Sequence, residues 1–155
     1  MDWWRSVRRR LGKFRRLNGP ERWLTVRIVG LLVIVRIGLW TMPFRKMQVF
    51  AARLGDRRIS PRSARLSPQE LTSLVSVGAE YVPGASCLTQ ALVAQAILKR
   101  YGYRPVLRIG VTRGPDGAFG AHAWVECDGR VMIGDVPSLS DYAAFPEAAP
   151  RERVM

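Results

Sequence analysis

The stretch FGAHAWVECDGRVMIGD, residues 119–135, restricts the possible fold more than any other part of the chain. Asp128-Gly129 is a strong signal for a two-residue hairpin loop, because both central residues of a type I′ turn need positive φ. Counting back from that loop places His122 directly opposite Asp135, and side chains in such pairs have Cβ atoms about 4.5–5.5 Å apart. The pattern therefore predicts an antiparallel hairpin that brings an imidazole and a carboxylate together on one face.

His122 is the only histidine in the chain. A carboxylate opposite an imidazole selects its tautomer and stabilises its charged form, which is the arrangement of a catalytic base and its orienting group. Two alternatives stay open on the residues alone. The pair is also compatible with a structural contact, and a longer hairpin loop would shift the register.

Upstream of the hairpin, Cys87 stands at the predicted start of a helix, with Ser86 as N-cap and Gly102 as the C-terminal stop. Unpaired N–H groups and the positive end of the helix dipole favour an anion there, so they favour the reactive thiolate. Cys87, His122 and Asp135 together form a nucleophile, a base and an orienting group. The alternative for Cys87 is a small buried residue. Cys127 lies beside the hairpin turn without a partner, and we interpret it as incidental.

Further signals predict the elements around this set. Ser67, Pro68 and Glu70 form a capping box at the start of another helix, and residues 107–111 alternate as a strand does. The prediction is an α+β fold, in which a helical N-terminal region precedes a core with the Cys-bearing helix packed on a small antiparallel sheet.

Charge divides the chain into two regions. The net charge is +13, but residues 1–65 contain 17 basic and 3 acidic side chains, whereas residues 66–155 contain 8 and 9. We therefore predict a basic helical region, residues 1–65, that contacts a partner or a membrane, and a catalytic core, residues 66–155.

Within the basic region, residues 1–18 have the pattern of a basic amphipathic helix, and a strongly apolar helix follows. Its uninterrupted apolar run, residues 28–35, is shorter than the roughly 20 residues of a membrane span. Arg27 and Arg36 bracket this run on opposite sides of the helix. We expect a buried or partner-facing helix, with membrane association as the alternative. Pro43 ends it, and a third short helix follows up to Gly55.

Several classes of protein are disfavoured. Two cysteines without a CxxC motif and a single histidine argue against a disulfide framework or a metal site. The N-terminus lacks the pattern of a cleaved signal peptide, so we expect a cytoplasmic protein, with membrane association left open. Aromatic residues interleave with the basic ones, but the apolar runs indicate buried helices rather than an open groove for nucleic acid.

Three segments resemble a known family: SCLTQALVAQAILKRYGY, LRIGV and FGAHAWVECDGRVMIGD. They are similar to the transglutaminase-like cysteine peptidase domain of lasso-peptide biosynthesis proteins. In that family the triad is a Cys in a C-L-x-x-A helix start, a His in A-H-A-W-V and an Asp closing the next strand. Cys87, His122 and Asp135 match these positions one by one. The resemblance covers residues 20–136 and implies a transglutaminase/papain-like core without metal or cofactor.

The resemblance implies a peptidase that removes the leader from a ribosomally made precursor peptide, after which a separate ATP-dependent synthetase closes a macrolactam ring. Some members carry a winged-helix domain that binds the leader. Residues 1–65 are predicted helical and lack its alternating strands, so the resemblance implies a stand-alone peptidase with a separate leader-recognition protein. Two alternatives remain: an acyltransferase that uses the same triad with an amine acceptor, and a non-enzymatic basic scaffold that binds a partner or an anionic membrane.

Overall fold

The computed structural model describes residues 19–56, 66–114 and 117–145. In this part of the chain four α-helices are followed by a small antiparallel sheet, which confirms the predicted α+β class. A 3₁₀ turn, Leu139–Asp141, precedes the last strand. The elements are α1 (Gly19–Thr41), α2 (Phe44–Asp56), α3 (Pro68–Ala79), α4 (Cys87–Arg100), β1 (Pro105–Arg113), β2 (Phe119–Cys127), β3 (Arg130–Ile133) and β4 (Ala143–Ala144).

Helices α3 and α4 begin where the capping residues predict. Ser67 and Glu70 form the predicted reciprocal capping box, in which the Ser67 N–H donates to Glu70 Oε2 at 2.6 Å. Ser86 caps α4 by accepting from the Thr89 N–H at 3.3 Å. Gly102, with φ of 89°, follows the C-cap of α4 as expected. These starts and stops depend on local hydrogen bonds and backbone conformation, which neighbouring residues determine.

The sheet has the order β3-β2-β1-β4, and α4 packs against its three longer strands. The loop between β2 and β3 is the predicted two-residue turn, because Asp128 and Gly129 have φ of 50° and 74°. β4 pairs with the outer edge of β1 and so returns the end of the described chain to the sheet.

The predicted register of the hairpin is correct next to the turn and wrong further along. Glu126 pairs with Val131 as expected, but Val125, not Trp124, pairs with Ile133. Met132 is therefore an extra residue on β3, which is a β-bulge. Pairing ends at Ile133, so the expected position of Asp135 directly opposite His122 is not formed. A one-residue shift moves every later side chain to the other face, which is why the local count failed.

Helix α1 has apolar residues on all sides but buries only one of them. Its buried residues contact the core between α2, α3 and α4, and glycines allow the closest approaches. A Cβ on Gly38 would overlap the Met47 side chain of α2, and one on Gly78 of α3 would lie 3.1 Å from Ile28. The buried residues of α1 are Thr25, Ile28, Leu32, Val35 and Gly38.

The length argument against a membrane span does not hold for α1. The helix has 23 residues and, by length and composition alone, is apolar enough to cross a bilayer, although a core helix passes the same test. Its buried face contributes to the hydrophobic core, as the buried-helix prediction expects. The opposite face is exposed and lies between Arg27 and Arg36, and Arg22 stands on it at the N-terminal end of the helix.

The boundary near residue 65 stays a prediction. Residues 1–18, which carry the predicted N-terminal helix, and residues 57–65, next to the boundary, lie outside the described residues. The described residues on both sides of that boundary share one hydrophobic core, which joins Leu32 and Met47 to Leu71 and Leu92.

Candidate active site

Cys87 is the first residue of α4 and is partly exposed. The Ser86 hydroxyl accepts a hydrogen bond from the Thr89 N–H, so it leaves the backbone N–H of Cys87 available. A free N–H at this position is suited to bind an oxyanion that forms on a substrate attached to the same residue. The helix start therefore places a thiol and a hydrogen-bond donor side by side.

His122 lies in the middle of β2, half-buried, with one ring nitrogen occupied. Its Nε2 is 2.7 Å from the backbone carbonyl oxygen of Gly134. A carbonyl oxygen only accepts, so Nε2 carries the hydrogen and donates it. In the neutral ring the other nitrogen, Nδ1, is then left with a lone pair. The contact with Gly134 therefore selects the tautomer in which Nδ1 can act as a base.

Two aromatic rings border the His122 imidazole. Trp124, two residues along the same strand, stacks at 6.2 Å between ring centroids, and Tyr142 lies at 5.5 Å in a tilted arrangement. Gly110, opposite His122 on β1, leaves room for both, because a Cβ there would lie 3.0 Å from the Trp124 ring and from Tyr142. The rings limit the orientations available to the imidazole.

Trp124 is held in turn by a polar network on the sheet. Its indole N–H donates to Glu126 Oε1 at 2.8 Å, and Arg108 Nε donates to Glu126 Oε2 at 3.4 Å. Arg108 stands opposite Trp124 on β1. Because the indole is almost completely buried, an unpaired N–H there would be costly. Glu126 therefore fixes the indole of Trp124, and the indole in turn borders the His122 ring.

Asp135 follows Gly134 directly and is exposed. In the described part of the chain it forms no hydrogen bond or ion pair. A backbone carbonyl, and not this carboxylate, occupies His122 Nε2. This position requires glycine for two reasons. Its φ is 85°, and a Cβ there would lie only 2.7 Å from the Ala123 carbonyl oxygen.

The Cys87 and His122 side chains are not hydrogen-bonded to each other among the described residues, although α4 packs on β2. Catalytic hydrogen bonds are often long in the free enzyme and tighten only when substrate binds. The other thiol differs in its surroundings. Cys127 is buried, and burial, followed by the charge of Asp128, raises its pKa above the ordinary 9.0. Its thiol is therefore a poor nucleophile at neutral pH.

The described residues contain no group of three or more His, Cys, Asp and Glu side chains that could hold a metal ion. The family model of the transglutaminase-like superfamily matches residues 30–146. The chain belongs to this superfamily. No curated protein and no solved structure gives a significant match.

The transglutaminase-like superfamily consists generally of cysteine-type enzymes, with peptidase or acyltransferase activities. The matched range includes all three sequence-predicted site residues and the second half of α1. Membership supports a nucleophilic thiol as the centre of the chemistry.

Sequence reasoning missed four contributors to this transglutaminase-like site: Trp124, Glu126, the Gly134 carbonyl and Tyr142. Glu126 and Trp124 were detectable, because residues two apart on a strand lie on the same face as His122. The other two were not. Gly134 reaches His122 through the bulge, and Tyr142 reaches it because β4 returns the chain to the edge of the sheet.

Proposed function

We propose that this protein is a cysteine peptidase that removes the leader from a ribosomally made lasso-peptide precursor. The observation that carries the proposal is the bond from His122 Nε2 to the Gly134 carbonyl, which leaves Nδ1 as the base in a superfamily of cysteine-type enzymes. The resemblance of the Cys87 and His122 segments to leader peptidases supports the choice of substrate. Cytoplasmic location, the separate leader-recognition protein and the macrolactam synthetase are parts of the same proposal.

In the first half of the proposed reaction, Nδ1 of His122 accepts the proton of the Cys87 thiol. The thiolate attacks the carbonyl carbon of the peptide bond between leader and core, and the Cys87 N–H donates to the developing oxyanion. When the tetrahedral intermediate collapses, the C–N bond breaks and the imidazolium returns its proton to the departing amine. The core peptide leaves with a free amino group, and the leader remains as a thioester on Cys87.

In the second half, Nδ1 takes a proton from water, and the hydroxyl attacks the thioester carbonyl. The C–S bond breaks, the leader leaves with a carboxyl group, and the thiol recovers its proton from the imidazolium. Asp135, one residue beyond Gly134, is the third member of the proposed triad. It acts on the imidazolium through its charge, since the Gly134 carbonyl occupies Nε2.

Leader release can be tested with a precursor peptide encoded beside the gene of this protein, together with the neighbouring leader-recognition protein. Mass spectrometry should detect the separated leader and core. Cys87→Ala should abolish release, whereas the matched variant Cys127→Ala should keep most of the activity, because the buried thiol is outside the proposed reaction. Release by Cys87→Ala at the wild-type rate would refute a cysteine peptidase.

The same experiment separates hydrolysis from acyl transfer. Both reactions share the thioester, and only the nucleophile that attacks it differs. With hydroxylamine present, a peptidase should give mainly the leader acid at low amine concentration. Predominant conversion to the hydroxamate at low amine concentration would instead favour an acyltransferase.

A further inference from the structure

Helix α1 presents a second apolar face to solvent, opposite the one it buries. We call its large residues the outer stripe: Trp23, Val26, Val33, Ile34, Ile37 and Trp40. Their exposure is substantial, from 40% at Val33 to 81% at Trp40. At 3.6 residues per turn they cover roughly 120° of the helix surface and extend for about 26 Å. A contiguous apolar surface of this size indicates an interaction site.

Arginines border the outer stripe on both sides. Arg27 lies over the Trp23 ring at 4.5 Å, and Arg36 lies over the Trp40 ring at 5.2 Å. Arg36 also donates to the Gly84 carbonyl, in the loop that leads to Cys87. The exposed face thus has an apolar centre and cationic edges, with a tryptophan at each end.

Helix α2 continues this surface. Phe50 of α2 and Met42, between the two helices, meet Ile34 and Ile37 around an apolar groove of about 290 Å³. A neighbouring groove of about 510 Å³ is lined by Pro43, Val49 and Phe50 together with three cations and no acidic side chain; the cations are Arg45, Lys46 and Arg53. Apolar surface beside a cationic groove has the chemistry to receive acyl chains and anionic headgroups at the same time.

We infer that α1 and α2 dock on an anionic membrane surface, with α1 lying in the plane of the interface and the outer stripe inserted among the lipids. Tryptophan is favoured at the boundary between headgroups and acyl chains, and long arginine side chains reach from an apolar surface to the phosphates. Spanning is not part of this arrangement, because the other face of α1 is packed in the protein core.

Charge complementarity favours a membrane over a second copy of the chain. Residues 19–56 carry six basic and two acidic side chains, and the whole protein has a net charge of +13. Two outer stripes packed together would bring arginine borders of the same sign into contact. An anionic bilayer offers the opposite charge along the whole length of the stripe.

The test is co-sedimentation of the full chain with vesicles, which needs neither precursor nor activity and so is independent of the proposed peptidase. Vesicles of phosphatidylcholine alone should bind weakly, and vesicles that also contain phosphatidylglycerol should bind well. Ile37→Asp and Trp40→Ala should each lower the partition coefficient roughly tenfold, because apolar area no longer enters the bilayer. Circular dichroism verifies that each variant is folded. If one variant does not fold, the other still tests the inference.

The matched control is Phe119→Ala on β2. Phe119 is 75% exposed and lies 4.7 Å from Arg113, so it is an arginine-stacked aromatic like Trp40, outside the outer stripe. Its replacement should leave vesicle binding unchanged. The inference is overturned if the wild-type chain stays in solution with anionic vesicles, as a stripe covered by a protein partner or a second copy would require. It is also overturned if the stripe variants bind as well as wild type, or if Phe119→Ala loses as much.

Discussion

The imidazole of His122 has one ring nitrogen bound and one available, and this asymmetry suits it to act as a base. Nε2 donates to Gly134, and the ring is held between Trp124 and Tyr142. A base needs a defined tautomer and a defined orientation, and these contacts supply both without a carboxylate. Asp135 therefore has a different expected role from the one that the hairpin count suggested.

Replacing Asp135 with Asn tests that role. If Asp135 acts only through its charge, we expect turnover to fall about tenfold to a hundredfold, well short of the roughly 10⁴-fold loss when a directly bonded aspartate is lost. The loss should shrink at high salt, since exposed charges are screened. The measurement is the turnover of saturating precursor at low and high ionic strength. Full turnover in the variant would leave Gly134 as the sole orienting group.

Glu126 should act as a positioning residue through Trp124. We expect Glu126→Ala to lower turnover roughly tenfold with little change in KM, because the indole that borders His122 loses its anchor and the substrate contacts stay. An unpaired buried N–H should also cost about 1–3 kcal/mol of unfolding free energy. Glu126→Gln keeps an acceptor for the indole and loses only the charge that faces Arg108, so it should recover most of the turnover. Equal turnover loss in both variants would contradict a role through the indole.

At the scale of elements, the start of α3 should give the protein a local dependence on pH. Hydrogen bonds from the backbone and side chain of Ser67 lower the pKa of Glu70 below its ordinary value of 4.5. A carboxylate with a lowered folded-state pKa stabilises the fold above its unfolded-state pKa, and this contribution disappears as the pH falls through the folded-state value.

Wild type should therefore unfold at a higher temperature than Glu70→Gln at pH 7, and the two curves should converge at pH well below 4.5. Glutamine is the proper comparison because it keeps the hydrogen-bonding shape and removes the charge. Ser67→Ala should cost about 1 kcal/mol at neutral pH. If the difference in unfolding temperature between wild type and Glu70→Gln stays constant on acidification, the charge of Glu70 does not act at this cap.

Helix contacts at glycines provide a second test at this scale. A Cβ on Gly55 would lie 2.9 Å from Lys99 Cβ and 3.1 Å from the Ala96 carbonyl oxygen, whereas one on Gly30 would meet nothing within 4 Å. We expect Gly55→Ala to lower the unfolding free energy by about 1–3 kcal/mol, since α2 and α4 must separate. Gly30→Ala should raise it by about 0.5–1 kcal/mol, because alanine is the better helix former. Urea denaturation compares the two, and similar effects would argue against close α2–α4 packing.

For the whole molecule, charge and apolar surface are concentrated toward the N-terminus, and the predicted catalytic residues lie in the nearly neutral remainder. Residues 1–18 carry seven basic side chains and one acidic side chain. Deleting them should weaken binding to anionic vesicles and flatten its dependence on salt, since fewer counterions are exchanged. In the shortened chain, Ile37→Asp should still bind vesicles more weakly than the same chain with Ile37. Equal vesicle binding by the two shortened chains in sedimentation assays would mean that the outer stripe acts only together with residues 1–18.

What the sequence by itself determined are features that depend on a few neighbouring residues. These include both helix caps, the Asp128-Gly129 turn and the place of Cys87 at a helix start, and the order of the elements between them indicated the α+β class. The partners of such features lie within about four positions along the chain, so their chemistry is visible in the order of residues.

Tertiary structure alone decided the rest. Met132 bulges out of β3, so the Gly134 carbonyl and not Asp135 binds His122, and Tyr142 reaches the same ring from beyond the hairpin. Which face of α1 is buried was also left open, because large apolar residues occur on all its sides and several faces could pack against other helices. Packing buried Ile28 and its neighbours and left the outer stripe exposed. Both the partner of His122 and the buried face of α1 therefore depend on long-range contacts, which no short segment of sequence encodes.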